Sequence, residues 1–470
     1  MKTLLLVVFA ACNAPSKLDA LGANEPAAPA AIATPLVWDA GAVDAWVASE
    51  IATRGAIGAS LVVVKDGAVV LAKGYGKTRA GDGVAVTADT PFALGSVSKQ
   101  FLCTVVYALV DAGRVAMTDR VATWYPTATR ASDITLADLG GHTSGYRDYY
   151  PLDYIDTRLE TPVTPDEVIA TYAGMPLDFE PGSRWSYSNT GFQILARVAE
   201  KVTGQPYAKL LADTIFTSLG MTTATLEPRA TDAAVGHASF VLDGAKPSPR
   251  EANGWLFGAG DIWASANDVA KWNLAIADGK LLAPASHQAL RTPRTLANGR
   301  GTGYSCGFVV GVSSQEQTLS HGGWVGGFHT SNIIVPRTRS AVVLLTNDQY
   351  TDVTDLADTI ASLLTREVAY PMLAVDAGDA VRELVVQLQS GVLDRTKLGD
   401  DANAYFDDAR VAAAATRLRD LGPPTVKLSR LGERGGMEVS RFTVKFTAKS
   451  VDGWMFRSAD GKIRQLLFSQ

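Results

Sequence analysis

Thr90-Pro91-Phe92-Ala93-Leu94-Gly95-Ser96-Val97-Ser98-Lys99 is an extended lead-in that stops at a glycine and delivers a serine three residues ahead of a lysine. The run that follows, Ser98 to Ala112, is apolar at Phe101, Leu102, Val105, Val106, Leu109 and Val110. That spacing predicts a helix, and Gly113 supplies its stop. Ser96 then stands at a helix N-terminus, where outward-pointing N–H groups favour developing negative charge. Three-residue spacing puts the Ser96 hydroxyl and the Lys99 amine on neighbouring parts of one helical face. Taken alone, the pair also reads as an N-cap and a solvated first-turn lysine.

Two further segments change that balance. Glu180-Pro181-Gly182-Ser183-Arg184-Trp185-Ser186-Tyr187-Ser188-Asn189-Thr190-Gly191 carries a Pro-Gly turn signal, and a helical pattern begins after Gly191. Tyr187 and Asn189 are thereby expected on a loop between elements, where functional side chains are often presented. Leu319-Ser320-His321-Gly322-Gly323-Trp324 precedes a β-hairpin pattern, Ser331 to Val335, Pro336 to Arg339, then Ala341 to Thr346. Glycines in a strand mark close approach of a ligand or another backbone.

The ordered set S-x-x-K, Y-S-N, H-G-G resembles the serine β-lactamase and penicillin-binding-protein superfamily, in the branch of class C β-lactamases, D,D-carboxypeptidases, D-aminopeptidases and related esterases. His142-Thr143-Ser144-Gly145, whose part in the family is mainly architectural, and Gly258-Ala259-Gly260-Asp261-Ile262-Trp263 widen the match, which runs from about Val43 to Leu364. The resemblance implies Ser96 as nucleophile, Lys99 and Tyr187 as a shared base, and backbone N–H groups of Ser96 and Trp324 as oxyanion hole. It further implies Asn189 holding Lys99 and hydrogen-bonding the substrate amide, with His321, Gly322 and Gly323 along the substrate strand. Both bases have ordinary pKa values near 10, so one must be shifted to act at neutral pH, and the residues alone leave open which.

The third motif departs from true β-lactamases, which usually carry a lysine and a hydroxyl residue there to grip a carboxylate. His321 is largely neutral at pH 7 and Gly322 has no hydroxyl. The expected function is therefore a serine hydrolase acting on D-amino-acid peptides or small esters. β-Lactamase or D,D-carboxypeptidase activity is the alternative, and a non-catalytic envelope receptor a third.

The fold class implied is α+β: an antiparallel sheet flanked by helices, with a helical subdomain and a small C-terminal α+β domain. The hairpin Ala59–Val64/Ala68–Ala72 across Lys65-Asp66-Gly67 and the hairpin of residues 331–346 are expected in one sheet. Three regions are expected: 1–35, a lipoprotein-type signal and Ala/Pro-rich tether; 36–370, the hydrolase domain; 374–470, an accessory α+β domain. In the last, Val381 to Leu388 reads as a helix, and Arg441 to Phe446, Trp454 to Arg457 and Ile463 to Phe468 as strands.

Met1-Lys2 followed by an apolar stretch ending in Phe9-Ala10-Ala11-Cys12 resembles a bacterial lipoprotein box, with phenylalanine where leucine is typical. The expectation is lipidation of Cys12, a membrane anchor rather than a span, and a place on the periplasmic side of the bacterial cell envelope. A net charge of −5 without long runs of either sign gives no nucleic-acid surface. Substrates are expected to be small molecules or short peptides, with no cofactor and no metal, since the five histidines are scattered without ligand spacing. The three cysteines, Cys12, Cys103 and Cys306, offer no disulfide framework, and Cys103 reads as a core residue of its helix.

Overall fold

The computed structural model describes residue 35 and residues 37–469, apart from 153–154, 156, 227–232, 240–243, 314–315, 366–376, 435–436, 448 and 459. The lipidation expected at Cys12 and nearly all of the 1–35 segment lie outside the described residues.

Helix α1 (Ala40–Thr53) is capped by Asp39, whose Oδ1 accepts from Ala42 N at 2.7 Å. Strands β1 (Gly58–Lys65) and β2 (Ala68–Gly76) then pair across Asp66-Gly67. Both turn residues have positive φ, 52° and 82°, the twist-matched geometry that makes Asp-Gly a strong hairpin signal. Helices α2 (Ser98–Asp111), α3 (Asn189–Thr203), the short α4 (Phe257–Gly260) and α5 (Ala266–Ala277) belong to the long middle of the chain. Strands β3 (Val309–Ser313), β4 (Glu316–Val325), β5 (Phe328–Val335) and β6 (Ser340–Thr346) follow, then helix α6 (Thr354–Thr365).

The six strands form one sheet in the order β2-β1-β6-β5-β4-β3, every neighbouring pair antiparallel. The two hairpins legible in sequence thus meet at its centre, where Ala59 faces Thr346 and Val64 faces Ala341. Successive strand side chains point to opposite faces. Leu61 and Val63 accordingly join Trp46 of α1 and Ile360 of α6, whereas Val62 and Val64 join Phe101 of α2 and Trp272 of α5. A strand covered on both faces reads as a continuous apolar run, which is why Leu61-Val62-Val63-Val64 does not alternate. The class is mixed α+β, with antiparallel sheets flanked by helices.

Residues 377–469 contain helices α7 (Ala377–Ser390), α8 (Asp400–Tyr405) and α9 (Asp408–Leu418) and a four-stranded antiparallel sheet. Its strands are β7 (Thr425–Arg434), β8 (Met437–Lys445), β9 (Ser450–Arg457) and β10 (Ile463–Ser469), paired in chain order. They enclose a separate apolar core of Val381, Leu384, Leu388, Phe442, Met455 and Leu466. Among the described residues no helix is long and apolar enough to cross a membrane.

One expectation is overturned. Cys103 and Cys306 form a disulfide across 203 residues of sequence. An odd cysteine count and so long a separation hide the pair; tertiary folding brings the loop before β3 against α2. Gly307 makes this approach possible, because a Cβ there would lie 2.8 Å from the Gln100 Cα. Replacing both cysteines by alanine is expected to lower the unfolding free energy by about 2–4 kcal/mol. Urea unfolding of the double variant beside the native protein measures it, and an unchanged midpoint would mean the bond contributes no stability.

Candidate active site

The lead-in read before Ser96 is a short strand, Pro91–Ala93, paired with Trp263–Ser265. Gly95 then turns the chain with φ of 54°, and a 3₁₀ turn, Gly95–Val97, runs into α2. The glycine is required twice over: an L-residue rarely adopts that φ, and a Cβ would lie 2.9 Å from Trp324 N. Strand β4 is therefore drawn close to the serine turn. Thr330 on β5 strengthens the contact by donating its hydroxyl to Leu94 O at 2.9 Å. The Trp324 N–H thus reaches the nucleophile turn, where the oxyanion hole was expected.

Lys99 is fully buried, and its Nζ lies 2.9 Å from Ser96 Oγ, 2.7 Å from Asn189 Oδ1 and 2.7 Å from Ala259 O. Tyr187 donates its hydroxyl to Ser96 Oγ at 2.8 Å. Ser96, Lys99, Tyr187 and Asn189, drawn from two separate stretches, are brought together: the lysine and the tyrosine meet at Ser96 Oγ, and Asn189 holds the lysine. Asn189 is the first residue of α3 rather than part of a loop, since the helix begins three residues earlier than its apolar periodicity suggests. Gly258 lets the α4 turn lie against α3, because a Cβ there would sit 2.5 Å from Phe192 O. That close approach carries Ala259 O to the lysine.

Burial disfavours charge on both candidate bases, in opposite senses. It pulls Lys99 down to about 7, a fall that the Asp148 carboxylate partly offsets. It pushes the Tyr187 phenol up from its ordinary value. Lys99 is therefore the group that gives up its proton near neutrality, while Tyr187 keeps its own and donates to Ser96 Oγ. The question the residues left open is resolved by desolvation.

His321 is buried in β4 with both ring nitrogens engaged. Nδ1 is 2.5 Å from Gly322 O, a group that can only accept, so Nδ1 carries the hydrogen and Nε2 accepts from Tyr304 OH at 2.9 Å. Burial, then the charge of Lys99, lowers the imidazole to about 4. It lines the cleft as a neutral ring without a free nitrogen to offer a ligand. His142, in the segment read as architectural, accepts from Ser188 N at 3.1 Å and packs on the Tyr187 ring, centroids 4.2 Å apart.

The site opens into a cleft of roughly 780 Å³ whose lining includes Ser96, Tyr187, Asn189, His321, Gly322, Gly323 and Trp324. Its charged lining residues are Arg147, Asp148 and Asp178, and Arg147 is paired with Asp178 at 2.9 Å. Three contributors were not read from the sequence. Ala259 lay in a segment already noted beside the cleft, Asp148 stands six residues beyond His142, and Tyr304 carries no local signal. Asn189 Nδ2 donates to Asp148, 3.1 Å to Oδ1 and 3.2 Å to Oδ2, and the residue also lines the cleft, where the amide was expected to meet substrate.

Residues 43–366 match the Beta-lactamase family model, and the chain belongs to that family of serine hydrolases. It is 29% identical over 292 residues to PbpX of Bacillus subtilis (strain 168), assigned to the penicillin-binding proteins, covering 61% of this chain and 70% of that one. It is 28% identical over 295 residues to the D-aminopeptidase of Gluconobacter oxydans (strain 621H). That match covers 62% of this chain and 55% of the relative, so the chain spans little more than half of that enzyme's length. Among solved structures, the octameric penicillin-binding protein homologue from Pyrococcus abyssi superposes with a TM-score of 0.63 at 19% identity, covering 92% of this chain and 99% of that one. At that identity the likeness establishes the fold.

Proposed function

We propose that this chain is an exported hydrolase that forms an acyl-enzyme through Ser96 and acts on D-amino-acid peptides or small esters. The observation that carries the reading is Ser96 Oγ held between a buried amine at 2.9 Å and a phenol at 2.8 Å, at the floor of an open cleft. With Asn189 Oδ1 and Ala259 O taking two N–H bonds, the third direction of neutral Lys99 is a lone pair aimed at Ser96. Ser96 Oγ attacks the carbonyl carbon as its proton passes to Lys99 Nζ, and Tyr187 donates to the oxygen as its charge grows. The N–H groups of Ser96 and Trp324 hold the oxyanion, a contribution of about 3 kcal/mol per donor. Collapse breaks the bond to the leaving amine or alcohol, which takes the proton back from Lys99. Water, deprotonated by the same amine, then releases the acid and restores Ser96.

Two observations favour this substrate class over β-lactams and free C-terminal carboxylates. The β4 motif presents neutral His321 and glycine where a carboxylate grip would need a cation and a hydroxyl, and Arg147 is already paired with Asp178. The D-aminopeptidase named among the relatives agrees with the D-amide reading. Export is supported by the Met1–Cys12 sequence, with lipidation at Cys12 and anchoring in the bacterial envelope. The Cys103–Cys306 bond also supports it, since disulfides persist mainly in oxidising compartments.

The test is turnover of a D-alanyl anilide and a short-chain acyl ester, with Ser96→Ala as blank. Ser96-dependent cleavage of the D-anilide, slower for its L-isomer, is the expected result. Ester cleavage alone would make the protein an esterase. Failure of both, together with nitrocefin opening, would return it to the β-lactamases.

A further inference from the structure

Asp148 sits in the loop that follows Gly145, and all of its partners are donors. Its Oδ1 accepts from Asn189 N at 3.0 Å, Asn189 Nδ2 at 3.1 Å and Tyr150 N at 3.1 Å, and its Oδ2 from Asn189 Nδ2 at 3.2 Å. The same loop is tied to the start of α3 a second time by Thr190, whose hydroxyl donates to Arg147 O at 2.6 Å. Burial raises the Asp148 pKa above the ordinary carboxylate value; its four acceptor contacts, with no donor role, and the positive end of the 15-residue helix α3 act against that and match the ionised form.

The consequence falls on the Asn189 amide. An asparagine side chain has one accepting and one donating end, and without a partner that discriminates them the group can turn over. Asp148 accepts only, so it holds the Nδ2 end, and the Oδ1 end must face Lys99. Were the amide reversed, its NH2 would confront the lysine, the amine's lone pair would be drawn away from the serine, and proton transfer would lose its geometry.

We propose that Asp148 is a positioning residue: by holding the Asn189 amide in one orientation it directs the third valence of Lys99 Nζ at Ser96 Oγ. The role rests on Ser96 being the nucleophile, as proposed above. It carries an electrostatic signature as well, because the carboxylate raises the proton affinity of Lys99 against the effect of burial. The other groups around that amine are Tyr187 and Phe192, whose rings lie 4.9 and 5.2 Å from Nζ, together with neutral His142 on the Asp148 loop and neutral His321 on β4. Ser96 on the α2 side and Ala259 O on α4 complete the shell. Among the described residues, Asp148 is thus the anion that acts on Lys99.

The experiment follows phosphonylation of Ser96 in the full-length protein by a fluorophosphonate, read by intact mass across a pH series, which requires no knowledge of the substrate. Asp148→Ala is expected to react about 10- to 100-fold more slowly at neutral pH, the effect of a small misplacement of a catalytic group. Asp148→Asn keeps an oxygen for Asn189 but loses the charge, so it should recover part of the rate while its acid limb moves to lower pH. A role limited to holding the loop would not move that limb. If Asp148→Ala does not fold, the Asn variant carries the test alone. Labelling of the Asn variant at the native rate with an unmoved limb would overturn the role. So would native labelling of both variants with a raised KM for the D-alanyl anilide, which would make Asp148 an anchor for the substrate ammonium. A native protein that fails to label would overturn the hydrolase reading itself, and this role with it.

Discussion

Replacing Lys99 by methionine is expected to slow acylation of Ser96 by about 10²- to 10⁴-fold, the range for losing a general base. The side chain is buried and Ser96 has no other base within hydrogen-bonding reach among the described residues, its remaining partner, Tyr187, being held protonated by burial. Lys99→Arg separates charge from basicity. A guanidinium keeps the positive charge but stays protonated at any working pH, so the arginine variant should be about as slow as the methionine one. In the native protein the sign of the pH dependence follows directly. The active form has neutral Lys99, whose pKa is lowered to about 7, so activity is high above that value and falls as the pH drops through it. Below it the loss should approach about tenfold per pH unit. Pre-steady-state acylation by a chromogenic ester across the pH range measures all three. A lysine variant retaining more than about a tenth of native activity would assign the base elsewhere.

Gly323→Ala is expected to cost about 10²- to 10³-fold in kcat, the value of an oxyanion donor. A Cβ at Gly323 would run into Leu94 O and Thr330 Oγ1, both part of the contact that seats β4 against the serine turn. Strand β4 must retreat, and Trp324 N–H, the next residue, retreats with it. Gly322 is the built-in comparison. Its added Cβ meets nothing nearer than Thr330 O at 3.6 Å, an ordinary contact, so Gly322→Ala should keep the native melting temperature. Steady-state kinetics beside thermal melts distinguish the effects. A Gly323→Ala protein with native kcat would remove Trp324 N–H from the oxyanion hole.

Much of the frame was readable because its determinants are local. Asp66-Gly67 makes one hairpin turn and no other chemistry competes there, and the helical period after Ser96 is carried by apolar residues that the structure does bury. The apolar run read as the first strand of that hairpin is indeed β1, and α1 and α6 cover one of its faces, α2 and α5 the other. Boundaries were less legible: α3 starts at Asn189 because the backbone N–H there is satisfied by Asp148, a residue 41 positions away that no periodicity reports. The Cys103–Cys306 bond was missed for a related reason, since pairing depends on where a loop lies against a helix.

By itself the sequence determined which residues could do chemistry: a serine and lysine one helical turn apart, a tyrosine and asparagine two residues apart, and a glycine pair in a strand. Those relations survive any packing, because they are set by covalent spacing and the helical and strand periods. Only the tertiary structure decided what each group does. Burial moved Lys99 and Tyr187 in opposite directions, so that one accepts a proton and the other keeps it. The Asp148 carboxylate chose which end of Asn189 faces the amine, and Tyr304 with Gly322 took up both nitrogens of His321. Solvation and hydrogen-bond direction belong to the space around a residue, and that space is assembled from segments far apart in the chain.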